Sequence, residues 1–212
     1  VSTTTEESTG NLVYALGVNV TILAAKTTLG VITGSAAMLA EAAHSLVDAL
    51  TEPILLVGVA HSRRWSKGRF FWGLVAAINI FVTGGVFAAY EGIQSILDPT
   101  VAATSMWVAL AVLAGSAVLE GTSLTRALRT LAGERDGVPW VRYLRTTTNT
   151  AMKTLLVEDS MDVLGCVLAG VGIGLQVVTG SAVWDGIASV LIAGLLTVMA
   201  YELGSQNLRL LK

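Results

Sequence analysis

The chain has 212 residues, of which 53% are hydrophobic and only 13% charged, with a mean hydropathy of +0.70. A soluble domain carries about 25% charged residues, so this chain lacks the charge to cover a water-facing surface and reads as a membrane protein. The net charge of −2 says little about partners, because the placement of charge matters more than its sum. The single cysteine, Cys166, excludes an internal disulfide and reads as a packed small residue rather than a soft metal ligand.

Residues 1–10 are polar and are expected to form a flexible cytoplasmic tail. They show no cleavable signal pattern, and a start at Val1 suggests a processed, trimmed or partly ordered chain. Apolar segments then recur at about 11–32, 35–60, 70–96, 105–128, 150–178 and 182–204. Each is long enough at 1.5 Å per residue to cross ~30 Å of hydrocarbon. The fold class is therefore an all-α integral membrane protein, a bundle of six transmembrane helices in one transmembrane domain, 11–212. Abundant Gly and Ala suit close helix approach in lipid.

Lys and Arg set the orientation. Arg63, Arg64, Lys67 and Arg69 follow span two; Arg126, Arg129, Arg135, Arg142, Arg145 and Lys153 lie between or beside spans four and five; Arg209 and Lys212 follow span six. Lys26 alone is left over, and the connections around Gly34, Asp98-Pro99 and Thr179-Gly180 contain no basic residue. Both termini are thus expected in the cytoplasm. The long connection from Arg126 to Asn149, with Trp140 and Tyr143, reads as an orientation anchor at the headgroups, and Trp65, Phe70, Phe71 and Trp72 as an interfacial aromatic belt.

Ionisable residues inside such segments are costly and are by default a functional hypothesis. In span two, His44 and Asp48 are four apart and share one helical face. An imidazole nitrogen and a carboxylate oxygen stacked in this way suit one divalent cation. Span five carries Glu158, Asp159 and Asp162, which crowd one side of a helix, and three carboxyls cannot all stay ionised at low dielectric without a cation or protons. Counting from Ser35 puts His44 ~13 Å and Asp48 ~20 Å deep, and counting from Val178 puts Asp162 ~24 Å and Asp159 ~28 Å deep, so the two clusters can meet. Pairing with Lys26, Asn19 or Asn79 is the ordinary alternative, but a single lysine cannot neutralise Asp48, Glu158, Asp159 and Asp162 together. Elsewhere, Lys26 reads either as a balance for a site carboxylate or as an ion pair positioning span one. Glu41 would line the outer mouth, Glu52 and Glu120 would be interfacial or paired with arginine near the inner ends, and Asp185 would cap the start of span six.

The run T-G-S-x-A-M-L-A-E-A-x-H-S-L-x-D from Thr33 to Asp48 resembles the second span of the cation diffusion facilitator family of metal transporters. The resemblance continues in Phe71-Trp72-Gly73, Tyr90-Glu91-Gly92, the V-E-D-S-x-D-V-L-G run from Val157 to Gly165, and Trp184-Asp185-Gly186-Ile187-Ala188-Ser189. It implies a six-helix domain, usually dimeric, that exchanges a divalent metal, most often zinc, for protons, with one ligand pair on span two and another on span five. His44 and Asp48 match the first pair. For the second, spacing offers Glu158 with Asp162, whereas counting back from Gly165 sets Asp159 at the family's aspartate and Leu155 where its histidine would be. The E-D-S form resembles the mitochondrial and bacterial branch that lacks that histidine. A site poorer in histidine is harder, which opens the reading to manganese, iron or cobalt beside zinc. The family's carboxy-terminal cytoplasmic domain is expected to be absent, and the connection between spans two and three is short.

The expectation is a secondary transporter of a bacterial inner membrane, probing no covalent chemistry and so no enzyme: no nucleophile–base pair is evident. The metal is its substrate rather than a cofactor. Its other partners are protons, the bilayer and a second copy of the chain, with no nucleic acid. The rival reading is a metal-binding sensor or scaffold without transport.

Overall fold

A computed structural model of the chain describes residues 20–61, 65, 67–99, 106–134, 137–139 and 150–211. The expected tail, Asn19, and the stretch with Arg135, Trp140, Arg142, Tyr143 and Arg145 lie outside these residues. The described residues form six helices: α1 Val20–Thr33, α2 Ala36–His61, α3 Gly68–Leu97, α4 Met106–Glu134, α5 Thr150–Thr179 and α6 Val183–Leu211. Helices α3 to α6 each contain a stretch long and apolar enough to cross a membrane. Helix α2 has 26 residues but carries Glu41, His44, Asp48 and Glu52, a cost that its neighbours must offset.

The helices alternate in direction, so Gly34, Asp98 and Gly180 share one end of the bundle, the turn end, and the helix ends at His61, Gly68, Glu134, Thr150 and Leu211 share the other. That other end carries Lys67, Arg69, Arg129 and Arg209 among the described residues and is called the basic end. Gly34 and Gly180 adopt φ of 63° and 71°, left-handed conformations that end α1 and α5 without a Cβ clash. At the basic end Trp65, Phe71 and Trp72 form a chain of ring contacts with centroids 5.9 and 5.8 Å apart, and the Arg69 guanidinium lies 4.5 Å over Phe70. The Lys67 ammonium donates to the Leu211 carbonyl at 2.5 Å, closing the end of α6.

Helix α2 packs on α3, α5 and α6, and its small residues Ala36, Ala37 and Ala40 let α6 come close. The motif glycines have the same cause. A Cβ on Gly92 of α3 would lie 2.8 Å from the Gly186 carbonyl oxygen, and one on Gly186 of α6 would lie 2.7 Å from the Gly92 carbonyl oxygen. Two backbones in contact leave no room for any other residue. Two helices near the centre are irregular: Pro53 interrupts the hydrogen bonding of α2, and α3 widens to a π-helical stretch over Ile80–Val86.

The T-G-S motif and Asp185 turn out to be one device. The Ser35 hydroxyl accepts from the Met38 amide at 3.1 Å, as an N-cap does, and donates to Asp185 Oδ1 at 2.7 Å. Asp185 Oδ2 accepts from the amides of Ala36 at 2.6 Å and Ala37 at 3.4 Å. Asp185 therefore caps α2 rather than the start of its own helix, because both helices begin at the turn end and α2 offers free amides and a positive dipole end there. Asp185→Ala should strand three buried donors and destabilise the bundle by roughly 2–4 kcal/mol, while Ser35→Ala should cost about 1 kcal/mol. Thermal unfolding in detergent reads both, and equal losses would mean that the carboxylate adds nothing to the ordinary cap.

Candidate metal centre

His44 and Asp48 stand one turn apart on α2 because of their four-residue spacing, and α5 brings Asp162 against them. The His44 Nε2 atom lies 3.0 Å from Asp162 Oδ1 and 3.8 Å from Asp48 Oδ2, and one ligand atom from each residue falls within 4.8 Å of the other two. Ligands around a tetrahedral ion with bonds of about 2.0–2.2 Å are separated by roughly 3.3–3.6 Å, so the observed spacings bracket those of a coordination shell. Nε2 is buried and makes no hydrogen bond despite its closeness to Asp162. Protonated, the imidazole pairs with these carboxylates; deprotonated, its Nε2 and their oxygens could share a cation.

Exposure is confined to one side of this trio. The His44 side chain is 4% exposed, Asp162 22% and Asp48 46%. Toward the turn end the next site-facing residues, Glu41 and Met38 on α2 and Cys166, Ala169 and Ile173 on α5, are all buried. Toward the basic end Thr51 of α2 and Leu156 and Asp159 of α5 are buried as well, so exposure at the trio is confined to the Asp48 and Asp162 carboxylates.

Gly165 shows how the two helices approach. A Cβ there would collide with the Glu41 carboxylate and lie 3.7 Å from His44 Nδ1. The glycine that closes the V-E-D-S-x-D-V-L-G run therefore lets α2 lay two polar side chains directly against α5. The π-helical stretch also borders the site: a Cβ on Gly84 would lie 3.2 Å from a methyl of Val47, the neighbour of Asp48.

The other two expected site residues are placed differently. Asp159 is buried and faces the Ser123 hydroxyl of α4, with its Oδ2 unbonded. Glu158 is on the exposed side of α5. The turn of the helix accounts for this: Asp162 lies at ~40° between Glu158 at 0° and Asp159 at ~100°, so the rotation that sets Asp162 toward α2 turns Asp159 toward α4 and Glu158 outward.

Three expectations about buried charge need correction. Glu120 is not near an end or paired with arginine. It lies near the middle of α4, where its carboxylate meets the Lys26 ammonium at 3.5 Å. Glu41 does not line a mouth: it is 1% exposed and pairs with Lys26 at 3.1 Å. Cys166 is more than a space-filler, since its sulfur lies 3.2 Å from both Glu41 Oε2 and Glu120 Oε2. Lys26 joins α1 to carboxylates of α2 and α4, so of its two readings the ion pair positioning span one is the arrangement seen. Counting residues along span four would have set Glu120 at mid-bilayer, a signal that was available.

These features define a multi-pass α-helical membrane protein with an imidazole and two carboxylates converging inside its bundle. Residues 12–212 match the cation efflux transmembrane domain, and the chain belongs to that family of transporters, which is not a family of enzymes. It is 31% identical over 179 residues to the mouse protein named proton-coupled zinc antiporter SLC30A9, mitochondrial, covering 79% of this chain and 31% of that protein. The human protein of that name is 30% identical over 179 residues, covering 79% of this chain and 31% of its own length. Metal tolerance protein C4 of Arabidopsis thaliana is 27% identical over 181 residues, covering 80% of this chain and 39% of that protein. The chain thus spans about a third of the length of these curated relatives.

Proposed function

We propose that this chain moves a divalent metal ion, zinc in the first instance, out of the cytoplasm in exchange for protons. The observation that carries the reading is the unbonded His44 Nε2 within reach of Asp48 and Asp162. Membership of the cation efflux family and the printed names of the mouse and human relatives support it. His44, Asp48 and Asp162 hold the ion. A tetrahedral ion takes a fourth ligand; Asp159, which faces Ser123 of α4 here with a buried, unbonded Oδ2, is our candidate once α5 rotates toward α2, and exposed Glu158 serves the entry side. One nitrogen among carboxylate oxygens is also a shell that suits manganese, iron or cobalt.

The basic end is the cytoplasmic end by the positive-inside rule, with both termini there. Export then requires α2 and α5 to expose the site alternately toward the basic end and the turn end. We read the working unit as a homodimer in a bacterial inner membrane, where a strong bias of basic residues toward the cytoplasm is expected.

Ligands must shed protons to bind metal, so binding releases them. Protonated His44 cannot coordinate, so zinc affinity should fall as pH drops, by roughly tenfold per unit for each proton displaced. The deciding experiment is zinc flux in proteoliposomes with and without a pH gradient. Zinc accumulation driven by protons supports exchange. Zinc binding without flux would make the chain a sensor or scaffold, and flux indifferent to pH would make it a channel.

A further inference from the structure

One helical turn from the metal trio, toward the turn end, four helices bring together a second polar cluster: Lys26 of α1, Glu41 and Ser45 of α2, Glu120 of α4 and Cys166 of α5. It shares the α2–α5 seam, since Glu41 precedes His44 by three residues and Cys166 follows Asp162 by four. None of its members belongs to the trio, and α4 contributes nothing to the trio at all.

Its hydrogens can be counted. The ammonium has three and faces three oxygens, Glu41 Oε2 at 3.1 Å, Ser45 Oγ at 3.2 Å and Glu120 Oε1 at 3.5 Å. Its approach to the Cys166 sulfur, at 3.7 Å, is the longest of its contacts. The sulfur touches Glu41 Oε2 and Glu120 Oε2, each at 3.2 Å, yet a thiol carries one hydrogen for two contacts. The charges show the same shortfall: two carboxylates against one ammonium leave one negative charge uncompensated at low dielectric, which a proton removes. A proton on Glu120 Oε2 meets both needs. Glu120 then donates to the sulfur, and the thiol donates its own hydrogen to Glu41 Oε2. On Glu41, Oε1 has no bonding partner, so a hydroxyl there would be stranded. Glu41 Oε2, which could bridge to the sulfur equally, lies closer to the Lys26 ammonium, 3.1 Å against 3.5 Å for Glu120, so Glu41 is the carboxylate the cation holds ionised. Glu120 is also the open member of the pair, 19% exposed against 1% for Glu41, so it can exchange a proton.

We propose that Glu120 holds a proton at a site separate from the metal ligands and releases it when the divalent ion binds one turn away. This rests on the metal–proton exchange proposed above and names where one exchanged proton is carried. The groups that act on Glu120 are Lys26 from α1, Glu41 from α2, and Cys166 and Asp162 from α5, while His44 of α2 acts on Glu41 and Asp162 in turn. A dication between His44 and Asp162 adds positive charge beside Lys26, so the cluster no longer needs its proton. The Glu120 O–H bond breaks, the proton goes to water, and the carboxylate left behind pairs with Lys26 more strongly. Metal departure reverses the step.

The test counts protons released per zinc bound by the purified full chain in weak buffer with a pH indicator, and follows carboxyl bands by infrared difference spectroscopy. In Glu120→Gln, zinc still binds, the count falls by about one, and the pH slope of log affinity falls by the same amount. Glu120→Asp restores the count. In the unmodified chain zinc removes a protonated-carboxyl band, which Glu120→Gln lacks and Glu120→Asp shifts. An unchanged proton count in Glu120→Gln overturns the proposal and leaves exchange standing. Folded Glu120→Gln that no longer binds zinc also overturns it, because the two sites would then not be separate. Zinc binding by the unmodified chain with no proton release at all sinks the exchange reading itself, a result distinct from either. If Glu120→Gln does not fold, the infrared comparison of the unmodified chain with Glu120→Asp decides: a zinc-sensitive band that does not shift is not Glu120.

Discussion

Asp48→Ala is expected to weaken zinc binding by at least about 100-fold while the helical bundle stays folded. Loss of a group merely hydrogen-bonded to a metal ligand already costs about 10–100-fold, and Asp48 supplies a charged ligand oxygen 3.8 Å from His44 Nε2. Its half-exposed side chain carries little of the packing, so the fold should survive. His44→Ala and Asp162→Ala should weaken binding to a similar degree, and isothermal titration with circular dichroism reads affinity and helicity together. Zinc affinity that survives Asp162→Ala would break the trio apart. Span five supplies a second contrast. Glu158→Gln should keep measurable affinity with an altered pH dependence, whereas Asp159→Asn should lose affinity if Asp159 completes the shell. The reverse pattern would assign the fourth ligand to Glu158.

Gly186→Val is expected to be the most disruptive single change outside the metal centre. The first added carbon would already lie 2.7 Å from the Gly92 carbonyl oxygen and 2.8 Å from Ile96 Cγ1. A side-chain tip could swing away, but a backbone oxygen inside a helix cannot. Overpacking a close-packed site costs about 1–3 kcal/mol, and more where backbone must move, so a loss of ~3 kcal/mol or a failure to assemble should follow. The same shift would carry Asp185 away from the start of α2 and loosen the turn end of the bundle. Gly194→Ala on the same helix is the control. Nothing lies within 4 Å of its added carbon, and alanine in place of a helical glycine should be neutral or stabilise by about 0.5–1 kcal/mol. Thermal unfolding in detergent and the fraction of folded protein on gel filtration compare the pair, and equal behaviour would refute the contact.

The residues that meet in the metal centre were visible individually, because a charge inside an apolar run has few reasons to be there. Local spacing was enough to put His44 and Asp48 on one face of α2. Spacing was not enough on α5, where Glu158, Asp159 and Asp162 span only ~100° of the helix. A rotation of that helix by half that angle exchanges which carboxylate looks at α2. Packing against α4 and α6 sets the rotation, and no periodicity within the segment records it. The clear amphipathic stripe that would reveal it in a soluble helix is missing, since lipid and protein neighbours are both apolar.

The solvent, the helical class, the six-fold alternation of spans and connections, and the segregation of basic residues were legible along the chain. Each of these follows from composition or from a transfer cost set residue by residue. That Asp185 caps α2, that Gly92 and Gly186 touch, that Glu120 reaches Lys26, and that Asp162 is the carboxylate presented to His44 emerged only when the helices packed. Those outcomes are contacts between residues 94 to 150 positions apart. Their partners are chosen by helix rotation and by how closely small residues let two backbones approach, and neither quantity is a property of any one stretch of chain.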